Sequence, residues 1–121
     1  MSAADKKTEW PMGFRSAGVA AGVKRDGSLD MALIVSDRAA SAAGVFTTNQ
    51  VCAAPVKVCR AHLEQPVVRA IVMNSGVANA CTGSAGMVSA EAMAAGMASE
   101  LGCLPEEVLG CSTGKIGPQL P

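Results

Sequence analysis

The apolar positions of this chain fall into runs separated by stretches rich in glycine, serine and asparagine, and each run predicts an element. Val67 to Asn74, reading VVRAIVMN, is apolar at nearly every position, the pattern of a strand buried on both faces. Leu29 to Ser36, centred on Ala32-Leu33-Ile34-Val35, predicts another strand. The Asp26-Gly27 step before it favours a tight turn. Ala43 to Phe46 and Ala54 to Cys59 are shorter strand candidates. The second carries Pro55 near its start, where a missing N–H costs least. Ser84 to Leu101 predicts a helix. Ala85, Val88, Ala92, Ala95 and Ala98 offer it a face of small residues, Met87, Met93 and Met97 add bulk, and Gly102 is a natural stop. After a turn at Pro105-Glu106, Val108 to Cys111 returns as a strand. Several strands precede the first long helix, so the expected class is α/β with a mixed sheet rather than a doubly wound parallel one. Residues 1–12 are expected to be a flexible segment ahead of one unit spanning 13–121.

Composition narrows the function classes. Half of the 121 residues are hydrophobic, yet Trp10, Phe14 and Phe46 are the only aromatics. The core must therefore come from Val, Ile, Leu, Met and Ala, with elements approaching closely. Ten basic and ten acidic residues cancel, which gives no electrostatic case for nucleic acid or an anionic membrane. Cys52, Cys59, Cys81, Cys103 and Cys111 form no CxxC pair, and His62 is the sole histidine. Zinc spacing is absent, and dispersed cysteines fit a reducing compartment. No apolar core follows MSAADKKTEW and no stretch reaches membrane-span length, so a cytoplasmic protein is expected.

Two segments carry candidate chemistry. The run Cys111-Ser112-Thr113-Gly114-Lys115-Ile116-Gly117 follows a strand and is bracketed by glycines that permit tight turns and close approach. A Thr hydroxyl beside a Gly amide supplies two donors to charge developing on a carbonyl oxygen. An ordinary Gly-rich turn is the competing reading. The segment NSGVANACTG, from Asn74 to Gly83, is dense in residues that bond to local backbone. Asn74, Ser75, Gly76, Asn79, Thr82 and Gly83 either hold a loop and cap the next helix or face a substrate, and the structural role is the favoured one. His62 reads as a packing or surface residue, Cys81 and Cys111 as packed side chains. Thr47-Thr48-Asn49 reads as a turn, and Lys115 as solvent-facing.

With both segments in hand, the chain resembles the ornithine acetyltransferase family, also called glutamate N-acetyltransferase. The likeness runs through GFRSAGVAAGVK (13–24), LDMALIVSD (29–37), AAGVFTTNQVCAAPV (42–56), AIVMNSGVANACTG (70–83) and STGKIGPQLP (112–121). It covers more than half of the sequence in order and spacing.

The resemblance implies a mixed-sheet layered sandwich, of the type shared with self-cleaving aminopeptidases. It implies a precursor that cleaves itself, so that the new N-terminal Thr of a downstream β chain is the nucleophile. This chain would be the N-terminal portion of the α chain, in an α2β2 heterotetramer. The implied reaction moves an acetyl group from N-acetylornithine to glutamate through an acetyl-enzyme. It requires no cofactor or metal, and acetyl-CoA as an alternative donor stays open. Thr113 and Gly114 match the family's oxyanion-hole pair, while Lys115 departs from the apolar residue usual after Thr-Gly. In the family the α portion continues past Leu120-Pro121, so these residues alone are expected to be inactive. A related amidohydrolase and a noncatalytic assembly segment are the alternatives.

Overall fold

A computed structural model describes residues 9–121, so the flexible segment expected over 1–12 lies largely outside the described residues. The elements run β1 (Phe14–Val19), β2 (Met31–Ser41), α1 (Ala54–His62), β3 (Val67–Asn74), α2 (Gly83–Leu101), a 3-10 turn (Pro105–Glu107) and β4 (Val108–Ser112). They build one four-stranded sheet in the order β1-β2-β3-β4. The first two pairings are antiparallel and the last is parallel, so the expected mixed α/β sheet is present. A parallel pair needs a crossover, and α2 supplies it.

The strand predicted over 67–74 forms with those bounds. It is buried on one face only. Val68, Ala70, Val72 and Asn74 are buried, while Ile71 between them is 37% exposed. Val35, Ala70, Val72 and Val108 on the buried face meet Ala94 and Ala98 of α2 in the main core. The opposite face carries Ile34, Ile71 and Leu109 in one row across three strands, with Met73 beside Cys111 in the next.

Three further expectations are corrected. Ala54 to Cys59 is helix, not strand. Pro55 sits in its first turn, where no N–H is needed and proline's fixed φ already suits a helix. The buried residues Ala54, Pro55, Val58 and Cys59 follow a helical stripe rather than alternation. Ala43 to Phe46 is no strand. The β2–β3 register shifts between Val35 and Ala40, β2 ends at Ser41, and one bond from Ala42 N–H to Pro66 O closes the ladder. Phe46 instead lies under the Arg60 guanidinium, 5.5 Å from its ring centre.

The third correction concerns the buried face of α2. It is Gly86, Ala90, Ala94 and Ala98, whereas Ala85, Val88, Ala92 and Ala95 are exposed. The helix is apolar nearly all round, so periodicity did not select a side. Small residues at every fourth position let α2 lie close to the sheet. The stop is as expected: Gly102 adopts the left-handed conformation and its N–H bonds back into the last turn.

Candidate active site

Parallel pairing sets Asn74, the last residue of β3, directly beside Ser112, the last of β4. The two polar segments therefore leave the sheet side by side at the carboxyl ends of neighbouring strands, where α/β sheets place their ligands. Backbone bonds then lace them together. Thr113 N–H donates to Asn74 O (3.1 Å), Lys115 N–H to Gly76 O (3.1 Å) and Ala78 N–H to Lys115 O (2.9 Å). Val77 and Lys115 form an isolated parallel bridge.

Gly114 sits inside this lacing with φ +131°. A Cβ there would press on the Gly76 carbonyl carbon, and would stand 2.6 Å from Gly76 O and 2.7 Å from Val77 N. All three are backbone atoms and cannot swing away. Glycine is required twice over, by dihedral and by space. Among the described residues neither the Gly114 N–H nor the Thr113 hydroxyl has a hydrogen-bond partner. Thr113 borders an open cavity of about 250 Å³ together with Asp30, Asn74, Ser75 and Cys111. Gly114 does not line it.

The Asn74–Gly83 segment is held chiefly by hydrogen bonds of its own side chains. Asn79 is 2% exposed and wired on every side. Its N–H donates to Ser112 Oγ (2.9 Å), its Nδ2 to Gly86 O (2.8 Å), and its Oδ1 accepts from Thr82 Oγ1 (2.5 Å). Ser112 Oγ in turn donates to Val77 O (3.1 Å). These groups hold the loop. Thr82 precedes α2 without capping its N–H groups, so the expected cap is absent. Its hydroxyl is engaged by Asn79 instead. Gly83 opens α2 with φ +62° and Gly76 has φ +107°. Asn74 and Ser75 are the members that border the cavity. Asn74 Nδ2 donates to Val77 O (2.8 Å), while its buried Oδ1 has no partner.

Lys115 is exposed, as expected, and contributes through its backbone. His62 Nδ1 lies 2.8 Å from Val108 O, so that nitrogen carries the proton. Cys59, singled out by no motif, accepts from Gly110 N–H (3.3 Å) and donates to Gly110 O (3.2 Å). Burial pushes its thiol pKa up. Cys81 and Cys111 are exposed rather than packed. Among the described residues no cluster of His, Cys, Asp or Glu suits a metal ion, and no helix is long and apolar enough to cross a membrane.

Sequence reasoning missed Asp30. It is 3% exposed, immediately before β2, and its carbonyl accepts the Ser75 N–H at 2.8 Å. An acid just before an apolar strand is the signal the sequence offers, and it does not stand out because solvated turn carboxylates are common there.

The ArgJ family model matches residues 15–121. The arginine biosynthesis bifunctional protein ArgJ of Thermosynechococcus vestitus is 53% identical over 110 residues, which is 90% of this chain and 26% of that protein. Its counterpart from Nitratidesulfovibrio vulgaris is 52% identical over 111 residues, 91% of this chain and 28% of the relative. The crystal structure of arginine biosynthesis bifunctional protein argJ from Bacillus halodurans superposes with a TM-score of 0.86 at 40% identity, covering 91% of this chain and 58% of that one. Ornithine acetyltransferase from Mycobacterium tuberculosis, solved in complex with ornithine, gives 0.84 at 50% identity, covering 92% and 61%. The chain spans little more than a quarter of the length of these curated relatives. Matched over nearly all its described length in both sequence and fold, it belongs to the ArgJ family.

Proposed function

We propose that this chain supplies the oxyanion side of a glutamate N-acetyltransferase active site, working with a downstream β chain that carries the nucleophilic Thr. The observation that carries the reading is the pair of unpartnered donors: the Thr113 hydroxyl, whose residue borders the cavity, and the N–H of the adjoining Gly114, held on a backbone that only glycine permits. Kinship with an ornithine acetyltransferase solved with ornithine supports the substrate class.

In this reading the nucleophile's hydroxyl oxygen attacks the acetyl carbonyl of N-acetylornithine and gives up its proton. The carbonyl oxygen becomes an oxyanion, and Thr113 and Gly114 donate to it. The C–N bond then breaks, the proton goes to the leaving amine, and ornithine departs from an acetyl ester. The amino group of glutamate attacks that ester through the same tetrahedral geometry, the C–O bond to the nucleophile breaks, the proton shed by the amine returns to the nucleophile's oxygen, and N-acetylglutamate leaves. The two half-reactions share one oxyanion site, so a single pair of fixed donors serves both.

No cofactor enters these steps. The downstream chain packs on the uncovered sheet face, completing a layered sandwich within an α2β2 heterotetramer in the cytoplasm. The isolated chain is inactive, since the nucleophile lies outside it.

The test is Thr113→Val in the complete enzyme, which keeps the size and removes the donor. Acylation by N-acetylornithine slows by on the order of 10²-fold, with ground-state binding little changed. Unaltered acylation would remove Thr113 from the oxyanion site. Product analysis with and without glutamate separates transfer from hydrolysis by a related amidohydrolase.

A further inference from the structure

We propose that Asp30 is a positioning residue for the oxyanion donors: it gathers the 21–24 turn against the 74–78 loop, and that loop fixes the backbone at Gly114. The proposal rests on the reading of Thr113 and Gly114 given above.

The carboxylate of Asp30 is buried, and it accepts hydrogen bonds from backbone N–H groups rather than from a cation. Ala21 N–H donates to Oδ1 at 2.6 Å and Lys24 N–H to Oδ2 at 2.7 Å. Gly22 between them has φ +90°, which bends the turn into a concave set of N–H groups suited to an anion. Those donors, Lys24 first and Ala21 next, hold the carboxyl below its ordinary range against the opposing effect of burial. A buried carboxylate without such partners would not stay charged, so turn and carboxylate stabilise each other.

The turn reaches the site through Gly76. Lys24 Cγ lies 2.9 Å, and Val23 Cγ1 3.4 Å, from the place a Cβ on Gly76 would occupy. Lys24 Nζ is tied to Leu29 O at 3.0 Å, which keeps its stem across the loop. Asp30 also holds the loop directly, its carbonyl accepting the Ser75 N–H at 2.8 Å. The backbone of Gly76 and Val77 is what Gly114 packs on, and Gly76 O is the acceptor for the amide that follows it. Asp30 borders the same cavity as Thr113, but both its carboxylate oxygens are occupied by the turn. Its influence on the reaction therefore passes through the loop.

The experiment uses the complete enzyme and Asp30→Asn, which places an NH2 or loses a charge where backbone N–H groups now converge. The kcat for acetyl transfer falls on the order of tenfold, while KM for N-acetylornithine stays within about twofold. Combined with Thr113→Val, the two losses are less than multiplicative, because both act on the same donors. Unchanged kcat, a loss confined to KM, or fully multiplicative losses would each overturn the positioning role. Should Asp30→Asn not fold, Lys24→Ala decides the matter. It removes the stem over Gly76 and keeps the N–H that Asp30 binds. It lowers kcat about two- to fivefold at a wild-type thermal midpoint, and wild-type kcat overturns the proposal. Thr113→Val alone reports on the oxyanion reading. Wild-type kcat there overturns that reading, whereas wild-type kcat in Asp30→Asn beside an impaired Thr113→Val overturns only the role of Asp30.

Discussion

A methyl group at position 114 has nowhere to go, because the atoms it would meet are the backbone of Gly76 and Val77. Gly114→Ala must either push two loops apart or rotate the peptide that presents the Gly114 N–H. We expect a stability loss of about 2 kcal/mol from strain and overpacking together. In correctly processed enzyme, acetyl transfer falls by about 10²–10³-fold. Thermal melts and transfer rates on the same sample check both, and near-normal transfer would take Gly114 out of the donor pair. Asp30 makes a separate prediction in pH. Its folded pKa is lowered, so its contribution is complete above the ordinary carboxylate value and is lost as pH falls through the folded value. Urea midpoints of wild type and Asp30→Asn should differ by a constant amount at neutral pH. The difference should close below about pH 4. A gap that persists in strong acid would contradict the hydrogen bonding described for Asp30.

Helix α1 guards an edge. Gly110 turns both its N–H and its carbonyl to Cys59, and Val108 turns its carbonyl to His62, so this helix lies along the side of β4 that has no strand neighbour. Uncovered strand edges invite pairing with other chains. Removing one of these bonds with His62→Ala should cost about 1 kcal/mol, read as a shift in denaturation midpoint with acetyl transfer per folded molecule unchanged. On α2, a methyl at Gly86 would run into Thr82 Oγ1 and stand 2.5 Å from Asn79 Oδ1. Gly86→Ala should therefore cost about 1–3 kcal/mol, and a neutral result would show that the Asn79 network yields easily. Much at this scale was legible: β3 and the stop of α2 followed from apolar run length and Gly102. The Ala54–His62 helix was not, because Pro55 suits a strand start as well as a first helical turn, and six residues gave too short a window to separate the periods. Both loops of the site could be picked out, but their adjacency could not. It depends on β4 pairing parallel to β3, a long-range choice that no local pattern encodes.

At the scale of the whole molecule, one sheet face has no helix packed on it among the described residues. Ile34, Ile71 and Leu109 lie across it, and exposed Cys111 marks the end nearest Thr113. If the downstream chain packs there, Cys111 in the complete enzyme should alkylate on the order of tenfold more slowly than after dissociation, and Cys59 should react only on unfolding. Cys111 reacting like a free thiol in the native assembly would place the partner elsewhere. The crossing of Gly114 over Gly76 also bears on timing. Its two halves are separated by the whole of α2, so neither has any structure to offer until that helix has docked and β4 has joined the sheet. Closing such a long loop is an entropic barrier that only completed packing offsets. The contact of Gly114 with Gly76 is then expected to form late in folding, after α2 and β4 are in place.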